Sequence, residues 1–228
     1  MKTILLLQQL EKYPLFTFNE FVRLTRKSAT YCRTRVYRLK KQKLIFEIEK
    51  GKYTVHDDPL IFSSHILSPS YISFWTALRY YNLTEQLPLP VMVASPRSKK
   101  NISFRHTTIV FYKTKHVWGY TKTRYGLFDI FMADAEKSII DCLLSNTVPF
   151  AEIVKAISSP EIDVEKLQAY ALKTKNNSLI KRIGYLLEQR AYNAEKLQAY
   201  LDYNYVPLDP SGRKKGQKHK KWRILDNT

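Results

Sequence analysis

Ser28-Ala29-Thr30-Tyr31-Cys32-Arg33-Thr34-Arg35-Val36-Tyr37-Arg38-Leu39-Lys40-Lys41-Gln42 reads as one helix, and its reading decides the fold of the N-terminal part. Ser28 supplies an N-cap oxygen, and neither Gly nor Pro interrupts the run from Ala29 to Gln42. At about 100° per residue, Ala29, Cys32, Val36 and Leu39 share one face. Lys27, Tyr31, Thr34, Arg38 and Lys41 share the opposite one, with Arg35 beside it. The first face is small and apolar, so it packs. The second is basic, contains no acid, and belongs to a rod that fits a DNA major groove about 12 Å wide. Arg35 and Arg38 have the forked geometry that reads guanine, while Tyr31 and Thr34 suit a thymine methyl or a phosphate.

The flanking sequence extends this reading in both directions. Thr3 to Glu11 has a dense apolar face and Pro14 closes it; Asn19 is the expected N-cap of a short helix, Glu20 to Leu24; Thr25-Arg26-Lys27 is the turn. After the long helix, Leu44 to Glu49 reads as a strand, Lys50-Gly51 as a tight turn and Lys52 to Val55 as the return strand. Two short helices, a turn, a long basic helix and a hairpin are the order of a winged helix-turn-helix, expected over residues 1–58. Arg26, Lys27, Lys50 and Lys52 are then expected on phosphates, where they fix register without reading bases.

Past a polar boundary at His56 to Pro59, the pattern becomes α+β over residues 59–209. Ser68-Pro69 predicts the start of an aromatic helix through Tyr71 to Tyr81. Strand signals appear at Val91 to Val93, Ile102 to Lys113, Val117 to Thr121 and Leu127 to Met132. Asp134 caps a helix from Ala135 to Leu144, and helices are expected at Phe150 to Ile157, Val164 to Lys173, Ser178 to Gln189 and Ala194 to Leu201. The expected fold class is α+β: a winged helix-turn-helix, then a domain with a small sheet and a helical C-terminal part. Residues 210–228 form a basic tail, expected to be mobile as far as Lys221, with Trp222 to Leu225 docking back as a strand.

Charge separates the function classes. The 228 residues carry 38 Lys and Arg against 20 Asp and Glu, for a net charge of +18. Three blocks are basic with no acid inside them, Phe21 to Ile45, Gln86 to Phe128 and Arg213 to Arg223. Such segregation predicts a polyanionic partner, because each cation placed on a phosphate releases a condensed counterion. In the second block, Arg97, Lys99, Lys100, Arg105, Lys113 and Lys115 form a further candidate surface for DNA, RNA or an acidic partner protein. A membrane is not expected as partner: no basic amphipathic helix with large apolar residues is found, no stretch approaches a span, and Gln8 and Gln9 break the apolar run Ile4 to Leu7. The cytoplasm is the expected compartment.

Enzymatic constellations are weak. Cys32 and Cys142 lack metal-ligand spacing, and six glycines include no phosphate-cradling loop. Asp129, Asp134 and Asp141, with Glu136 and Lys137 near them, are the residues a metal-dependent nucleic-acid enzyme would use. Asp134 is better explained as a helix cap and Glu136 as first-turn dipole complementation. No catalytic residue, metal or cofactor is expected.

Three stretches resemble one family. Tyr71-Ile72-Ser73-Phe74-Trp75-Thr76-Ala77-Leu78, Leu83-Thr84-Glu85-Gln86-Leu87-Pro88 and Phe128 to Leu144 (FDIFMADAEKSIIDCLL) are similar to the AbiEi antitoxins, as is the tail Pro210 to Ile224 (PSGRKKGQKHKKWRI). The resemblance covers nearly the whole chain. It implies a non-enzymatic antitoxin whose winged helix binds inverted repeats in its own operon's promoter. It also implies a C-terminal domain that counters, directly or indirectly, a nucleotidyltransferase-like toxin of the AbiEii type. The expected state is a monomer or weak dimer, cooperative on double-stranded DNA. A stand-alone winged-helix regulator without a toxin is the alternative of the same architecture.

Overall fold

The computed structural model describes residues 3–87 and 90–228, so Met1, Lys2 and the Pro88 of the family-like stretch lie outside the described residues. The fold is mixed α+β. Helix α1 (Thr3–Leu10) is followed by strand β1 (Phe16–Thr17), helices α2 (Phe18–Thr25) and α3 (Ala29–Lys41), and strands β2 (Phe46–Glu49) and β3 (Lys52–Thr54). The three strands form one antiparallel sheet in the order β1-β3-β2. Leu6, Leu10, Phe16, Phe21, Cys32, Val36, Leu39, Ile45 and Tyr53 make its core. Phe16 sits at the centre, with ring centroids 6.2 Å from Phe21 and 5.9 Å from Tyr53.

Two expectations in this part are corrected. The cap of α2 is Thr17, not Asn19: the Thr17 hydroxyl accepts from the Glu20 amide at 3.2 Å, and the Glu20 carboxylate accepts from the Thr17 amide at 2.6 Å. This capping box satisfies two orphan amides reciprocally, which a lone Asn cannot do. Ala29 is exposed rather than buried, because it is the first residue of α3 and precedes the turns that pack.

The chain continues through α4 (Leu60–Ser63), β4 (Tyr71–Ile72), α5 (Phe74–Tyr80), β5 (Val91–Ser95), β6 (Ile102–Phe104), β7 (Thr107–Lys113), β8 (Tyr120–Tyr125) and β9 (Phe128–Ala133). These strands form a six-stranded sheet, β6-β7-β5-β4-β9-β8. β7 lies between β5 and β6, parallel to β5 and antiparallel to β6. Two more expectations change here. Ile102 to Lys113 is a hairpin, turning at Arg105 and His106 with Arg105 at φ +50°, not one long strand. The aromatic helix begins at Phe74: Tyr71 and Ile72 pair with Ala94 and Val93 of β5, and Ser73, not Ser68, precedes the first turn.

Helices α6 (Ala135–Ser145), α7 (Phe150–Ile157), α8 (Val164–Thr174), α9 (Asn177–Glu188) and α10 (Glu195–Gln198) come next. Strands β10 (Val206–Pro207), β11 (Gln217–His219) and β12 (Ile224–Asp226) close the chain. Asp134, Asp163 and Asn176 cap α6, α8 and α9 with their side chains. α10 is one turn, shorter than the expected Ala194 to Leu201. The tail is ordered: β10, β12 and β11 form a sheet in that order. Gly184 of α9 leaves the room into which Trp222 packs, and a Cβ at that position would collide with the indole.

By internal contacts the chain forms two compact units. One comprises Met1–Ile72, Leu89–Lys115 and Lys122–Phe131; the other comprises Ser73–Pro88, His116–Thr121 and Met132–Thr228. Among the described residues, no helix is long and apolar enough to cross a membrane.

Candidate nucleic-acid interface

The turn before α3 is built by backbone geometry. Arg26 closes α2 in the left-handed region at φ +53°, its amide donating to Val22. Ser28 then starts α3, its hydroxyl accepting from the Tyr31 amide at 3.3 Å. Cys32, Val36 and Leu39 face the core, and this fixes which side of α3 meets solvent. Lys27, Tyr31, Thr34, Arg38 and Lys41 are all exposed, as is Arg26. Among the described residues, no ion pair engages Arg26, Lys27, Arg38 or Lys41.

Arg35 is placed differently. It is half-buried and donates to the Thr3 hydroxyl at 2.9 Å and to the Tyr31 hydroxyl at 3.4 Å, which ties α3 to α1 and braces the Tyr31 ring. Tyr37 is 65% exposed on the same solvent face, three residues from Thr34 and four from Lys41. Sequence reasoning passes over it, although the helical phase that selects Thr34 and Lys41 also selects Tyr37. Arg33, also exposed, lies 5.8 Å from the centre of the Phe18 ring.

The hairpin after α3 divides its lysines. Lys50 is exposed at the turn, where Gly51 takes φ +80° and its carbonyl accepts from the Phe18 amide at 2.9 Å. Lys52 turns inward, donating to the Ile66 carbonyl at 2.6 Å and pairing with Glu49 at 2.9 Å. Glu49 also pairs with Lys99. Partial burial works to raise the Glu49 pKa, but the hydrogen bonds from Lys99 and Lys52 outweigh it and hold the carboxyl below its ordinary value.

The second basic surface is likewise divided. Arg97 donates to the Ser68 carbonyl, and the Lys99 ammonium lies 5.8 Å from the Phe111 ring centre. Arg105 pairs with Asp57 at 2.6 Å and stacks over Phe46 at 4.4 Å. Lys100, Lys113 and Lys115 are exposed and, among the described residues, form no ion pair.

The acids singled out in the sequence are each engaged by cations of their own unit. Asp129 is in the first unit, where Lys122 at 2.8 Å and Arg124 at 3.5 Å hold its pKa down. Asp134 and Asp141 are in the second unit. Asp134 caps α6 and accepts from the Tyr170 hydroxyl at 2.8 Å and from Lys166 at 3.1 Å. Asp141 is buried, paired with the buried Lys137 and accepting from Ser73 at 2.7 Å. Burial lowers the Lys137 pKa, against the opposing pull of Asp141. The Lys137 ammonium also lies 4.8 Å from the Trp118 ring centre. Among the described residues, no group of three or more His, Cys, Asp or Glu is gathered to hold a metal ion.

In comparisons with protein-family models and with curated proteins, the chain matches none.

Proposed function

We propose that this protein is a sequence-specific DNA-binding regulator whose residues 1–58 act as a winged helix-turn-helix, with α3 as the recognition helix. One observation carries the reading: the solvent face of α3 gathers Lys27, Arg38 and Lys41 with Tyr31, Thr34 and Tyr37, and no carboxylate neutralises those cations. Uncompensated cations on a rod of groove width, set between a tight turn and a hairpin, suit base reading flanked by phosphate contacts. In this reading Arg38 takes a guanine edge, Arg26, Lys27 and Lys41 take phosphates, and Lys50 reaches the backbone from the hairpin turn.

The resemblance to the AbiEi antitoxins extends the proposal. The DNA is then an inverted repeat in the promoter of the chain's own operon, bound cooperatively by a monomer or weak dimer. The rest of the chain then counters, directly or through repression, a nucleotidyltransferase-like toxin encoded beside it in the same cytoplasm. The test is fluorescence anisotropy of the purified chain on its own upstream promoter DNA and on scrambled duplex, at several salt concentrations. Equal affinity for both duplexes, or no loss of discrimination in Arg38→Ala, would remove the recognition role. Co-expression with the neighbouring reading frame, scored by colony survival, tests the antitoxin role separately.

A further inference from the structure

The second unit carries a basic surface of its own. Between Pro210 and Leu225 there are seven cations and no carboxylate. This segment is folded onto α9. Trp222 fills the space above Gly184 and its indole donates to Glu188. The Tyr185 hydroxyl donates to Asp226 at 2.8 Å and meets the His219 ring at 3.3 Å. Lys221 turns in to Glu188 at 2.5 Å. Lys214, Lys215 and Lys218 stay exposed and, among the described residues, form no ion pair.

Aromatic rings are set among these cations. Tyr205 precedes β10, with the Lys218 ammonium 5.5 Å and the Arg223 guanidinium 5.7 Å from its ring centre. Two residues earlier, Tyr203 is 89% exposed. Cations alone would suit any polyanion, but tyrosines between cations add flat faces on which bases stack. A duplex keeps its base faces inside its own stack, and an acidic peptide has no bases to offer. We propose that this surface binds a single-stranded nucleic acid, with bases stacking on Tyr203 and Tyr205 and phosphates lying along Lys214, Lys215, Lys218 and Arg223. The proposal is independent of α3 and of what α3 binds.

The test uses the full chain and a labelled single-stranded RNA of about a dozen nucleotides, with the same sequence as single-stranded DNA and as duplex RNA, and heparin as a competitor without bases. Both single strands should bind more tightly than the duplex, and the tighter of the two identifies the source of the strand. Tyr205→Ala should weaken that binding about tenfold while Tyr205→Phe retains it. Lys214→Gln with Lys215→Gln should lower affinity and flatten its salt dependence. Neither change should alter binding of promoter duplex. Ultraviolet crosslinking of the RNA to the unaltered protein, mapped by mass spectrometry, should mark Tyr203 or Tyr205, and it decides the matter if Tyr205→Ala does not fold. Equal binding of the duplex, an unchanged Tyr205→Ala, competition by heparin equal to that by RNA, or crosslinks confined elsewhere would each overturn the assignment.

Discussion

The first and second basic blocks look alike in sequence and differ in space. Along α3 and the turn before it, Lys27, Arg38 and Lys41 keep their charges facing solvent without a carboxylate partner, while Lys40 pairs with Glu47. In the second block, Lys99 is held by Glu49, Arg105 by Asp57, and Lys122 and Arg124 by Asp129. An acid-free run is therefore not the same as a positive surface, because acids outside the run neutralise part of it, here leaving Lys100, Lys113 and Lys115 exposed without an ion pair among the described residues. What distinguishes α3 is that its solvent face is the one the core leaves uncovered. Lys137, buried against Asp141, is the extreme of the paired condition.

The largest test of this contrast lies at that buried pair. Asp141→Ala strands the Lys137 ammonium without its carboxylate, and the loss should be about 3–5 kcal/mol of unfolding free energy in urea titration. The double substitution Lys137→Met with Asp141→Leu should recover most of it. A single-variant loss comparable to that of a surface pair would mean the pair is not sealed from water.

On the free side, Arg38→Ala should cost about 1–3 kcal/mol on promoter DNA and relax preference at one base pair, read by anisotropy on a panel of single-base variants. Lys41→Ala should weaken all duplexes alike and reduce the slope of log affinity against log salt by about 0.9. Lys52→Ala sharpens the contrast: bound to Ile66 and Glu49, Lys52 should leave that slope unchanged, although its place in the hairpin alone suggests a phosphate contact. A slope change equal to that of Lys41→Ala would erase the distinction between free and paired lysines.

The smallest effect belongs to Glu49. Its folded pKa lies below the ordinary 4.5, so its pairing stabilises above that value and is lost as pH falls through the folded pKa. Glu49→Gln should cost under about 1 kcal/mol at neutral pH, since the carboxylate is partly solvated. The stability curves of variant and parent should converge as pH drops below 4.5 in acid titration followed by circular dichroism. A gap that stays constant down to pH 3 would show that shape, not charge, carries the contribution.

The sequence makes α3 legible because its signals are local: a cap oxygen, a helical period and a face without acids. The same holds for α6, where Asp134 reads as the cap and is the cap. What escapes is set by partners far along the chain. β1 is two residues long and exists because Phe16 and Thr17 pair with Tyr53 and Lys52. Tyr71 and Ile72 adjoin a helical run and form a strand of only two residues, which exists because they pair with Ala94 and Val93 of β5. The roles of Lys52, Lys99 and Arg105 depend on Glu49 and Asp57, which no spacing rule connects to them. The order of the tail rests on the hollow at Gly184, and only the end of its signal, Trp222 to Leu225, is visible in one dimension.

The placing of β7 between two strands that precede it in the chain has a kinetic meaning. The β6–β7 hairpin closes through two residues, and such hairpins form in about 1–10 μs. The parallel ladder must instead bring Val91–Ser95 to Ile109–Lys113, with all of β6 between them in the chain, and non-local pairing is slower. On these timescales the hairpin is expected to form first and dock on β5 as a finished unit, its docking being the slower step.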